Sequence, residues 1–132
     1  YLPPNLTHLS FGSDFNQKIE LPPNITHLTF GLPRKLFKFS GAHKIINNFV
    51  RGWRFNQKVK LPPNLTHLIF GCHFNQEVNL SPNLTHLTFG NNFNQIVDLP
   101  HNITHLTFCN NFNQKVDLPI NLTDVTFGYE FN

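Results

Sequence analysis

Residues 61–79, LPPNLTHLIFGCHFNQEVN, are followed by residues 80–98, LSPNLTHLTFGNNFNQIVD, and the same 19-residue phrase recurs along nearly the whole chain. Its starts fall at Leu2, Leu21, Leu61, Leu80, Leu99 and Leu118, every 19 residues except across the 40 residues from Leu21 to Leu61. A period of this length is the mark of a solenoid, in which each unit is one coil stacked on its neighbours. The six apolar positions of one unit, Leu80, Leu84, Leu87, Phe89, Phe93 and Val97, cannot offset the entropy of ordering nineteen residues, so no unit folds alone. Stacked units share a core.

The long interval is read as hiding a worn copy. AHKIINNFVRGWRFNQKV, residues 42–59, places Ala42 where Leu61 stands, Ile46 where Leu65 stands, Phe49 where Leu68 stands and Phe55 where Phe74 stands. This predicts seven coils, starting near 2, 21, 42, 61, 80, 99 and 118, in one domain spanning 1–132. The second coil would carry two extra residues near the loop LPRK, residues 32–35.

Within a unit, HLTF alternates, which in an extended segment sends Leu87 and Phe89 inward and His86 and Thr88 outward. The expected fold is therefore all-β, a right-handed solenoid with short parallel strands on one face and negligible helix. Ten prolines among 132 residues agree with the scarcity of helix. NQIVDL suggests a second extended segment with Val97 and Leu99 inward, interrupted at the proline corner. The Asn and Gln of FNQ are expected to bridge coils through their side-chain amides.

The phrases FNQKVDLP, FNQKIELP and LTHLTFG resemble the FNIP repeat, a leucine-rich-repeat relative found in long arrays in social amoebae and their giant viruses, often after an F-box. The partial match of Leu84, Leu87, Phe89 and Asn92 to a leucine-rich-repeat pattern points the same way. The resemblance implies an intracellular protein-interaction module, in host cytoplasm or virion if viral, and with an F-box the substrate-recognition part of an adaptor. It implies no catalysis and no cofactor.

Several features narrow the function. No apolar run approaches the roughly 18 residues of a membrane span, and no signal segment opens the chain. With Tyr1 first and no Met, the sequence reads as part of a longer protein. Cys72 and Cys109 lie two repeats apart, roughly 10 Å in a stack of strands, beyond the about 7 Å that a disulfide spans; both are expected as reduced thiols. The six N-x-T triplets at Asn5, Asn24, Asn64, Asn83, Asn102 and Asn121 are formal glycan acceptors, but their recurrence at one place per unit favours a structural turn, and a secreted source is the weaker reading. Cys72 beside His73 lacks an orienting third group, so no enzyme is expected.

Two candidate surfaces remain. The outward column His8, His27, His67, His86 and His105 is completed by Asn48 and Asp124; it forms a line rather than a tetrahedron, so a stacked surface ladder is the stronger reading than a metal site. From Arg34 to Lys60 there are eight cations, and no acid stands between Glu20 and Glu77. This segment suits an acidic protein partner, with polyanion or nucleic-acid binding as the alternative. Trp53, flanked by Arg51 and Arg54, occupies a turn position where the core needs no large aromatic, so it is expected to anchor a partner; the competing reading has it cover the loop near Leu32–Arg34. The expected partner surface comprises Trp53, Arg51, Arg54, His27, His67, His86, His105, Thr88 and Thr107. Uncapped end coils also suggest end-to-end self-association.

Overall fold

The computed structural model describes residues 1–31 and 53–132. Among these residues six short strands follow the alternating segments: β1 (His8–Phe11), β2 (His27–Phe30), β3 (His67–Phe70), β4 (His86–Thr88), β5 (His105–Thr107) and β6 (Asp124–Thr126). They form one parallel sheet in chain order. Register follows the repeat: His27 pairs with His67, His67 with His86 and His86 with His105. Among the described residues there is no helix, and none long and apolar enough to cross a membrane.

The pairing of β2 with β3 corrects the coil count. These strands are hydrogen-bonded neighbours, so no coil is interposed between them, and six strands stand where seven coils were expected. Phe55 explains how the sequence misleads. It is buried and stacks on Phe74, as its alignment required, but its other face lies 5.9 Å from Phe15. The backbone agrees, since Arg54 N–H donates to Ser13 O and His73 N–H to Trp53 O. Trp53–Lys60 therefore completes the coil that Leu21–Gly31 begins, and residues 32–52 interrupt that coil. Ala42, Ile46 and Phe49 lie outside the described residues.

The core is built from columns of identical side chains. Phe30, Phe70, Phe89 and Phe108 form one buried column, and Phe55, Phe74, Phe93 and Phe112 a second, with Ile25, Leu65, Leu84 and Ile103 beneath the proline corner. The two phenylalanines of a coil stack on each other at 3.7–4.1 Å, as Phe70 does on Phe74 and Phe30 on Phe55. Between coils the spacing is graded. It is 4.2–4.3 Å in the His column, 5.2–5.7 Å in the first Phe column and 5.9–6.1 Å in the second. Coils related by pure translation would show one spacing everywhere, so each coil is rotated on the last about an axis lying toward the His face.

The expected second extended segment keeps its alternation, with Val97 buried and Ile96 and Asp98 exposed, but forms no strand. Proline corners remove donors there. Side-chain amides hold that side together instead. Asn75 Oδ1 accepts from Asn94 N–H at 2.9 Å and Gln95 Nε2 at 3.0 Å, and the arrangement repeats at Asn16, Asn56 and Asn94.

Candidate functional site

The strand face is the most regular surface of the molecule. His8, His27, His67, His86 and His105 stack with interplanar angles of 10–12°, and Thr29, Ile69, Thr88 and Thr107 run beside them, half-buried. Each imidazole is fixed by the residue before it: the hydroxyls of Thr7, Thr26, Thr66, Thr85 and Thr104 lie 2.9 Å from the following Nδ1. At the end of the column Asp124 replaces His. Its Oδ2 is 3.2 Å from His105 Nε2 and accepts from Thr123 Oγ1 at 2.7 Å.

Burial, and after it the charge of neighbouring imidazoles, pushes His27, His67 and His86 below the ordinary histidine range. Parallel stacked rings hold their nitrogens side by side rather than converging on a point. Among the described residues no three His, Cys, Asp or Glu side chains are placed to hold a metal ion.

The Trp53 cluster is arranged differently from its expectation. Trp53 is 7% exposed, and its ring closes on Gly31, where a Cβ would meet Cγ at 3.1 Å and Cδ1 at 3.2 Å. Gly31 has φ +88°, a left-handed conformation natural to glycine, and this leaves the shelf on which the indole rests. Trp53 is thus a packing residue of the second coil, next to Cys72 in the same buried column, rather than an exposed anchor. Arg54 is exposed and reaches Asp14 of the previous coil at 3.8 Å. Arg51 lies outside the described residues, as do Asn48 and the cations from Arg34 to Lys44.

The N-x-T asparagines have structural bonds. Asn24, Asn64, Asn83, Asn102 and Asn121 each donate through Nδ2 to a carbonyl of the preceding coil at 3.1–3.3 Å. Cys72 and Cys109 are thiols, not a disulfide. Sequence reasoning missed the threonine that precedes each histidine, and the contact of Asp124 with His105. The signal was present in the dipeptide TH, repeated in five units and replaced by TD in the last.

A family model for the FNIP repeat matches residues 1–32, 55–80 and 77–111, leaving out most of the interruption. Among solved structures, the fold is similar to CroV588, a giant-virus protein described as a novel circular leucine-rich-repeat structure. The likeness covers 99% of this chain at 44% identity with a TM-score of 0.76. This chain spans 18% of that protein's length. A search of curated protein sequences found no match.

Proposed function

The chain belongs to the FNIP repeat family, and from that premise we propose that it is a non-catalytic protein-interaction scaffold whose partner meets the His/Thr strand face. The observation that carries this reading is the face itself. Five successive pairings hold its side chains in register, and a surface ordered before contact loses little entropy on binding. Trp53 supports this surface from within, by fixing the second coil. Recognition of a substrate for an F-box adaptor in an intracellular setting is the finer form of the proposal. The graded coil spacing and the circular relative support a scaffold bent toward its His face.

The test is photocross-linking from two positions. A cross-linker at Thr88 should capture a specific partner, whereas one at exposed Ile96, on the opposite side of its coil, should not. Capture from Ile96 alone would remove the face assignment, and so would undiminished binding by a folded Thr88→Arg/Thr107→Arg variant. Exposed Arg54, Lys58 and Lys60 favour one second reading, polyanion binding. Affinity that falls steeply with salt would select it.

A further inference from the structure

The His column is tied to its threonines by a repeating set of short contacts. Thr26 O already accepts backbone N–H groups from Thr66 and His67, and Thr66 O accepts them from Thr85 and His86; Thr7 and Thr85 carbonyls are used in the same way. Each carbonyl thus already accepts two N–H groups, and the neighbouring threonine hydroxyl, 3.1–3.3 Å from it, lies closer to the imidazole Nδ1, at 2.9 Å. A neutral ring whose Nδ1 takes that hydroxyl proton carries its own on Nε2. At the end of the column Asp124 stands in a histidine's place, accepts from Thr123 Oγ1 and lies 3.2 Å from His105 Nε2.

With Nε2–H rings the strand face presents a row of N–H donors, the last of which lies 3.2 Å from a carboxylate. The Nε2 atoms of His27, His67 and His86 make no hydrogen bond within the described structure and are not sealed from solvent. Rings 4.2 Å apart let one carboxylate bridge two neighbours, each oxygen accepting one N–H in the parallel manner of a bidentate pair. The outward side chains beside the row, Ser10, Thr29, Ile69, Thr88, Thr107 and Thr126, are uncharged. Among the described residues Asp124 is the one acid seated on it.

We propose that the row His27, His67, His86 and His105 is a carboxylate-binding site, and that the partner it takes is an acidic peptide segment of another protein. This rests on reading the strand face as the partner surface, and adds the chemistry that the surface selects. Binding tightens with acid. A second proton on each ring turns the threonine hydroxyl toward the carbonyl 3.1–3.3 Å away, and the bound carboxylates offset the repulsion between neighbouring imidazolium rings.

The experiment has two parts. In ¹⁵N-labelled protein, the neutral imidazoles should show Nε2–H, and their signals should shift on adding an acetylated hexaglutamate peptide. By fluorescence anisotropy, that peptide should bind several-fold tighter at about pH 6 than at about pH 7.5. The His67→Phe/His86→Phe variant keeps the stack but lacks the donors, and should weaken binding roughly tenfold or more, the value of about one charge-assisted bond. Nδ1–H tautomers, equal binding by the folded variant, or equal affinity for hexaglutamine or oligothymidylate would overturn the proposal. If the variant does not fold, absent peptide-induced shifts in the unsubstituted protein overturn it as well. Continued cross-linking at Thr88 alongside any of these would leave the scaffold standing and remove only its preference for acids.

Discussion

Asn75 shows what one side chain carries in a stack of copies. Its Oδ1 accepts the Asn94 backbone N–H and the Gln95 amide across one coil boundary, so Asn75→Ala leaves a half-buried backbone donor unpaired. The expected loss is about 1–3 kcal/mol, read as a lower urea midpoint with unchanged slope. Asn113→Ala, whose Oδ1 receives no such pair, should cost clearly less. The bridging by FNQ was legible because FNQ recurs five times along the chain. Trp53 was not, since its repeat column also holds Ser13 and Asn91, and nothing in the spacing says that Gly31 lies under the ring. With the indole buried, Trp53→Ser should lower stability by about 3 kcal/mol or more, measured by thermal unfolding. A variant that kept its melting temperature would return Trp53 to the surface.

The strand is the element in which sequence and structure agree most closely. Period-two alternation in HLTF placed leucine and phenylalanine inward and histidine and threonine outward, and β2 and β3 show that pattern of burial. The same alternation in NQIVDL produced no strand, because alternation sets which side chains face the core but not whether the backbones lie close enough to pair. The strands also bring like groups into line, and this predicts an acid-sensitive fold. His27, His67 and His86 bind protons less readily when folded than their ordinary value of 6.5, first through burial and then through neighbouring imidazoles. Below about pH 6.5 the unfolded chain then holds more protons than the folded one, so stability rises with pH there. The melting temperature should be flat above about pH 7.5 and fall as pH drops through 6.5 toward 5. Replacing the three histidines by glutamine should flatten this dependence, whereas an unaltered slope would locate the acid sensitivity elsewhere.

At the scale of the whole molecule, a fixed period told that coils stack but not which coil a displaced segment completes. FNQKV at 55–59 was recognisable, yet its place depended on pairing across the 40-residue interval, and a parallel sheet responds to neighbours in space rather than to sequence number. Joining Gly31 directly to Trp53 restores an unbroken 19-residue phrase, LPPNITHLTFGWRFNQKVK. Deleting residues 32–52 should therefore leave the six-strand stack folded, with an undiminished β-sheet circular dichroism signal; loss of cooperative unfolding would show that the stack depends on the interruption. The same logic applies to the ends. Val125 and Phe131 are 43% and 37% exposed at the last coil, while Leu9, Phe11 and Phe15 are only partly buried at the first. These faces are the two halves of an interface formed five times within the chain, and Asp124 at one end would meet His8 of a second copy. Residues 1–132 expressed alone are therefore expected to associate head to tail, because a heterologous contact joins unlike surfaces. Val125→Lys and Leu9→Lys should each suppress the concentration-dependent oligomers of the parent in sedimentation velocity, but their mixture should form one-to-one dimers, since each supplies the end that the other has lost. A mixture that stays monomeric while the parent associates would mean that copies meet through some surface other than their coil ends.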